Sequence, residues 1–311
     1  MLSSRCGMKL RHKAAAAAAA ALLSCWLCGC RRQEPEASSS PAPQELSLPT
    51  ERPSPGYREF PVYFDGLLMD QGCIRDGEMY LSPGEICSYL GIAWSWKGDE
   101  SAFTISLDGT EFGGSREDGY LSGNGRYFYA PEGWFTAGDK LYLPYELLCR
   151  FLCLDVQPEE GSDALYLSTL NARVIPGGED YYELYFPSEE LFWLSQIIHA
   201  EAWQQPLAGQ IGVGNVVLNR VDSPDFPSTV FDVIFDMDHN IIQFEPISNG
   251  SVYSQPDEMA RIAACLCLEG YNTVGDSLYF VNPAFGSGWF DSSLDLTVTI
   301  GDHNFYSVRG A

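Results

Sequence analysis

The chain has 311 residues and a formal net charge of −24, with 42 acidic against 18 basic side chains. Such a surface repels polyphosphate, which excludes nucleic acid as a partner class. The length is enough for two domains.

Taken in chain order, Arg5, Lys9, Arg11 and Lys13 precede an apolar run from Ala14 to about Cys28, the charged and apolar regions of an export signal. The run is too short to span a bilayer comfortably. Leu27-Cys28-Gly29-Cys30 reads as a bacterial lipobox, with Leu22-Leu23-Ser24-Cys25 as the rival. Residues 31–56, rich in Ser, Pro and Glu, then have the composition of a disordered tether. Segment 1–30 is therefore expected to be a lipoprotein signal peptide, with Cys30 the lipidated residue and the mature chain anchored outside the membrane. A simple secretory peptide is the alternative.

Residues 57–170 hold an internal repeat at an offset of 62: Tyr80-Leu81, Ile86-Cys87, Tyr89-Leu90 and Phe103-Thr104-Ile105 match Tyr142-Leu143, Leu148-Cys149, Phe151-Leu152 and Leu165-Tyr166-Leu167. Each unit predicts a strand, a short helix and a returning strand, separated by turns such as Gly123-Asn124-Gly125. The pattern resembles the domain named for the N-terminus of copper amine oxidases, which implies no copper chemistry. The segment has no histidine and no evident acid/base pair, so a spacer or wall-binding role is expected. Six cysteines follow Cys30: Cys73, Cys87, Cys149, Cys153, Cys265 and Cys267. Export permits disulfides, but Cys265 and Cys267 lie two apart on a predicted helix and should not pair with each other. No CxxC pair with a partner motif suggests structural zinc.

Residues 171–187 read as a linker, with Pro176-Gly177-Gly178 as its flexible point. A helix is predicted to run to about Ala202 with Ser188 as its N-cap and Glu189 and Glu190 in its first turn, and a second from about Pro206 to Arg220 that carries glycines at 209, 212 and 214. Glycine is a poor helix former, so these three imply close backbone approach. A short helix through Phe235, another from Pro256 to Gly270, and strands near Leu278–Val281, Leu296–Ile300 and Asn304–Val308 complete the pattern.

Glu201 is the chemically informative residue. Counting back three, four and seven positions reaches Ile198, Ile197 and Leu194, so its carboxyl shares a helix face with core residues. Desolvation raises a carboxyl pKa and can keep it protonated near neutral pH, as a general acid requires. The plain alternative is a buried Glu satisfied by a hydrogen bond or ion pair.

The surrounding text narrows this. His199-Ala200-Glu201-Ala202, Gly209-Gln210 with Val213-Gly214, Asn219-Arg220-Val221, Gln243-Phe244 with Pro246, Leu278-Tyr279-Phe280 with Asn282-Pro283, and Gly301-Asp302-His303 with Phe305-Tyr306 together resemble the spore-cortex-lytic, cell-wall hydrolase family of the SleB type. The resemblance covers about 120 residues, enough to bury a core. It implies an α+β architecture: a lysozyme-like catalytic domain at 188–311 preceded by the small repeat-containing α+β domain. It also implies cleavage of peptidoglycan glycan strands between N-acetylmuramic acid and N-acetylglucosamine, by lytic transglycosylase chemistry with Glu201 as the single acid/base and no cofactor. Gln243, Phe244, Tyr279, Asn282, Trp289 and His303 are the candidate substrate-binding residues.

Residues 189–311 hold sixteen acidic and three basic side chains. Peptidoglycan is also largely anionic, so binding should rest on hydrogen bonds and aromatic faces, from Trp203, Phe244, Tyr279, Trp289 and Tyr306. Glu245 departs from the family pattern, where Ser is usual; it is either an altered subsite, a second carboxyl near the cleft, or an exposed loop charge. Two rivals are a metal-dependent amidase using His199, His239 and His303, which lacks the i, i+4 histidine pair of a zinc helix, and a non-catalytic wall-binding lipoprotein.

Overall fold

The computed structural model describes residues 56–157, 164–238 and 241–309. The expected signal peptide, Cys30, the tether and His239 lie outside the described residues. Gly56–Ala311 forms one compact unit, mixed α and β, with two main buried clusters.

The first cluster is enclosed by strands. A seven-stranded sheet is built from β1 (Arg58–Phe64), β2 (Leu67–Arg75) and β3 (Glu78–Leu81), and, after a five-stranded meander of β4 (Trp94–Gly98), β5 (Ala102–Leu107), β6 (Thr110–Ser115), β7 (Tyr120–Gly123) and β8 (Arg126–Tyr129), from β9 (Phe135–Ala137), β10 (Lys140–Pro144), β11 (Asp155–Gln157) and β12 (Leu165–Ser168). Its order is β11-β12-β1-β2-β3-β10-β9. Of the residues offset by 62, the first lie in matching elements: β3 pairs antiparallel with β10, Leu81 opposite Leu143, and the helices α1 (Pro83–Leu90) and α2 (Tyr145–Phe151) follow them; the returning strands differ, Ile105 lying in β5 of the five-stranded sheet and Leu167 in β12 of the seven-stranded one. The strands alternate buried and exposed positions, as a half-buried sheet requires. Phe112, Phe128 and Phe151 fill the centre with ring centroids 4.4–5.9 Å apart.

The second cluster is helical. After α3 (Tyr181–Tyr185), α4 (Ser188–Ala202), α5 (Leu207–Asp222) and α8 (Glu258–Leu268) pack together; α6 (Val230–Ile234) and α7 (Glu245–Asn249) close the ends. The three-stranded sheet β15-β17-β16 (Tyr279–Val281, His303–Val308, Leu294–Ile300) lies beside α5, and the short β13 (Met237–Asp238) and β14 (Ile241–Ile242) form a hairpin. The α5 glycines explain the tight packing. A Cβ on Gly214 would stand 2.6 Å from Cys267 Sγ of α8 and 2.9 Å from Ile198 Cδ1 of α4, and one on Gly212 would stand 2.8 Å from the Phe305 ring. Close approach is thus between protein elements. Cys87, Cys149, Cys265 and Cys267 are free thiols.

Two local expectations differ. Pro187, not Ser188, precedes the first turn of α4, so the acidic Glu189 and Glu190 favour that terminus without a side-chain cap. The segment 171–180 is not a free hinge. Ile175 is buried, Gly178 N donates to Asn124 O at 2.8 Å, and Asn124 Nδ2 donates to Ile175 O at 2.9 Å.

Beside this segment the two clusters are joined by a buried ion pair. Arg126 of β8 donates through Nε to Glu269 Oε1 at 2.7 Å and through Nη2 to Glu269 Oε2, with side-chain exposures of 9% and 4%. Arg126 also donates to Pro176 O at 3.1 Å, Tyr182 Oη donates to Glu269 Oε1 at 3.2 Å, and Arg150 donates to Glu269 O at 3.0 Å. Every oxygen of Glu269 is therefore engaged, which is what a carboxylate needs to remain buried.

Candidate active site

Helix α4 delivers Glu201 one residue before its C-terminal end. Leu194, Ile197 and Ile198 on the same face are fully buried, and the Glu201 side chain is half-buried at the edge of that core. Burial, reinforced by the negative charge of Glu245, pushes its carboxyl up from 4.5 to about 7. A substantial fraction is then protonated at neutral pH, the state a general acid needs.

Glu245 is positioned by its neighbours. Phe244 and Pro246 on either side are buried while Glu245 is exposed, and α7, which it begins, packs on α4. The alternation pins the backbone and leaves the carboxylate facing outward near Glu201. Glu245 is exposed and its charge acts on Glu201, which fits both a second carboxyl near the cleft and an exposed loop charge.

The loop after Glu201 is tied to the closing hairpin. Asp302 N donates to Gln205 Oε1 at 2.9 Å, and Gln205 Nε2 donates to Asp302 Oδ2 at 3.3 Å. Gly301, at φ +57°, leaves space that a Cβ would take 2.2 Å from Gln205 Oε1; both its conformation and this contact call for glycine.

The expected substrate-binding residues divide into two groups. Gln243 and Tyr279 are half-buried, and Trp289 on α9 (Gly288–Ser293) is 59% exposed. The Tyr279 and Trp289 rings meet edge to face at 6.2 Å, an open aromatic corner. Phe244 and Tyr306, by contrast, are core residues at 2% and 0% exposure, so neither presents a face to solvent; they support the wall from behind. Asn282 spends its Oδ1 on the Ala284 N–H at 2.9 Å, shaping the turn after β15. His303 is buried against Phe280, ring centroids 5.3 Å apart, and burial lowers its pKa, which favours the neutral imidazole.

Arg220 was not singled out by sequence. It is buried, its Nε donates to Leu278 O at 2.8 Å, and its guanidinium lies 5.0–5.4 Å from the rings of Phe226, Phe244 and Tyr279. Burial lowers its pKa to about 10, so it stays a cation at neutral pH and holds the aromatic wall together. The available signal was a lone arginine ending an apolar helix.

His199 points away from Glu201: its Nδ1 accepts from Asp257 N at 3.3 Å, at the start of α8. Among the described residues no group of three or more His, Cys, Asp or Glu is arranged to hold a metal ion.

A helical carboxylic acid whose pKa is raised to about 7 suits acid-catalysed cleavage of a glycosidic bond. Comparison with known proteins agrees at the level of family. Residues 204–306 match the Cell Wall Hydrolase family. The chain is 35% identical over 121 residues to a spore cortex-lytic enzyme of Halalkalibacterium halodurans, covering 39% of this chain and 35% of that protein. It is 34% identical over 112 residues to the spore cortex-lytic enzyme of Bacillus subtilis, covering 36% and 33%. The chain thus spans about a third of the length of these curated relatives. Among solved structures, the catalytic domain of the germination-specific lytic transglycosylase SleB from Bacillus anthracis is 30% identical, covering 39% of this chain and 97% of that one, with a TM-score of 0.36.

Proposed function

We propose that this chain cleaves the glycan strands of peptidoglycan between N-acetylmuramic acid and N-acetylglucosamine, as a lytic transglycosylase acting in spore-cortex lysis. The observation that carries the reading is the Glu201 carboxyl, raised to about 7 by burial and by Glu245 within a segment akin to spore cortex-lytic enzymes. On this reading 188–311 is a lysozyme-like catalytic domain and 57–170 a spacer or wall-binding module. Cys30 carries a lipid that holds the protein on the outer face of the membrane; among the described residues no helix is long and apolar enough to cross one.

The chemistry needs one protein carboxyl. Glu201 donates its proton to the glycosidic oxygen as the bond to the anomeric carbon breaks, and the N-acetylglucosamine side leaves as an alcohol. The 6-hydroxyl of the same muramic residue then bonds to that carbon, and the Glu201 carboxylate takes its proton. The acid is regenerated, and the product carries a 1,6-anhydromuramic end. Tyr279 and Trp289 offer aromatic faces to the strand and Gln243 a polar group; Asn282 and His303 act by shaping the wall.

Parallel digestion of purified cortex and vegetative peptidoglycan, with fragments read by mass spectrometry, tests this. Anhydro ends released from cortex by the wild type and absent with Glu201→Gln are expected. Activity abolished by a chelator and restored by zinc, or full activity in Glu201→Gln, would overturn the reading.

A further inference from the structure

A groove of about 660 Å³ lies on the other flank of α4 and does not include Glu201. Ser195 lines it, and at 3.6 residues per turn Glu201 points about 120° away from Ser195 round the helix. One wall comes from Tyr127 of β8 and Tyr182 of α3; the opposite wall is the first half of α4 and the start of α8. Tyr127 N donates to Tyr182 Oη, and Tyr182 Oη to Glu269. These bonds and the buried Arg126–Glu269 pair fix the two walls relative to each other, so the groove is preformed, and its volume is that of a small-ligand site.

Its chemistry is mixed. Leu191 and Ile262 make an apolar floor, Glu183 and Glu258 bring exposed carboxylates, and Arg261 brings an exposed guanidinium. None of these three charged groups forms an ion pair among the described residues. Both α8 charges bear on the Tyr127 phenol, whose pKa is raised first by burial, lowered by Arg261 and raised by Glu258. The Tyr127 ring is not open for sugar stacking, being occupied by Tyr182 in parallel at 6.3 Å and by Tyr120 edge-on at 5.8 Å, which leaves Phe192, 51% exposed, as the open aromatic of the lining. Carboxylates and a guanidinium over an apolar floor match a zwitterion instead: an ammonium to Glu183 and Glu258, a carboxylate to Arg261, and small apolar side chains below.

We propose that this groove is a second, non-catalytic site that binds the free α-amino-acid end of an uncross-linked diamino acid in the stem peptide of peptidoglycan. The assignment of the peptide rests on the glycan-cleaving reading above; the zwitterion chemistry rests on the groove. Binding here would hold the wall polymer on one side of α4 while Glu201 acts on the other.

The test is calorimetric titration of the full chain with a synthetic alanyl-γ-glutamyl-diaminopimelyl-alanine peptide. One-to-one binding is expected, weakened about tenfold or more when the free amine is acetylated, and by a similar factor in Glu258→Gln and in Arg261→Gln, since one charge-assisted hydrogen bond is worth about that factor. Both residues are exposed, so the variants should unfold at the wild-type temperature. Absence of binding, equal affinity for the acetylated peptide, or indifference to both substitutions would overturn the site. Diaminopimelate alone binding as tightly as the peptide would overturn the stem-peptide assignment. No glycan and no turnover enter this measurement, so its failure is separable from failure of the cleavage reading, which is read from Glu201→Gln on cortex.

Discussion

The strand-rich region before residue 176 and the helical region after 180 solve the burial problem differently. In the first, rings stack on rings and the buried Arg126 has all its partners in place. In the second, five buried polar atoms have no hydrogen-bond partner: Gln196 Oε1, Gln210 Oε1, Arg220 Nη1, Tyr271 Oη and His303 Nδ1. Among the described residues these five are the whole set, and none lies in the first region. Each such group costs about 1–3 kcal/mol, and a half-buried carboxyl at pKa about 7 adds to the burden. The first region is built for stability, whereas the second gives some up to hold reactive and polar groups where water would otherwise solvate them.

The sharpest way to break that comparison is to remove a perturbed carboxyl from each region. Burial raises the pKa of Glu132 in the first region as it does that of Glu201 in the second. Glu201→Gln should reduce turnover on cortex by about 10²–10⁴-fold, the usual worth of a general acid, while Glu132→Gln should leave it within about twofold. Comparable losses from both would mean that a raised pKa marks neither region as the chemical one.

Next in size is the joint between the regions. Arg126→Met leaves Glu269 buried without its cation, which should cost about 3–5 kcal/mol in denaturant unfolding, and Glu269→Leu on top should recover most of it. A fragment beginning at Tyr181, which contains the catalytic domain expected at 188–311, lacks both Arg126 and Arg150 and loses these bonds as well. A cost under about 1 kcal/mol would show the regions to be energetically independent after all.

The helices and strands of the second region were legible because their periodicity is strong: α4, α5 and the strands of the closing hairpin fall within a few residues of expectation. Glu201 was legible for the same reason, as an acid on an apolar stripe. What could not be read were contacts set by long-range packing. Nothing in Phe244 distinguishes a core ring from a stacking platform until Arg220 is seen behind it. Pro176-Gly177-Gly178 has the composition of a hinge, and only the Asn124 and Arg126 hydrogen bonds reveal that it is held. The Glu201–Glu245 proximity joins residues far apart in sequence through the packing of α7 on α4.

The same carboxyl makes a prediction about stability. Because the folded pKa of Glu201 lies above its ordinary 4.5, its contribution is fully favourable below about pH 4.5 and is lost as pH rises through about 7. Taking 1.36 kcal/mol per pH unit over that window, the loss is at most about 3 kcal/mol. Glu201→Gln should therefore be more stable than the wild type at pH 8 and nearly equal to it at pH 4, in matched thermal unfolding. Equal stability at both would mean that the carboxyl is solvated as freely as the exposed acids of the first region.

The smallest effect tests how the second region tunes its acid. Glu245 is the lesser of the two causes that raise Glu201, so Glu245→Gln should lower the Glu201 pKa only part of the way back to its ordinary value, burial being left in place. The general acid must be protonated, so the alkaline limb of the pH–rate profile should move to lower pH, while the rate near pH 5.5, where Glu201 is protonated in both proteins, stays close to wild type. Water activation by Glu245 predicts something else. The wild type would then release reducing ends, which needs a base across the scissile bond, and Glu245→Gln would lose rate at every pH. A shifted limb with anhydro products would assign Glu245 to electrostatic tuning, and a collapse across the whole profile would make it the second catalytic carboxylate of a hydrolase.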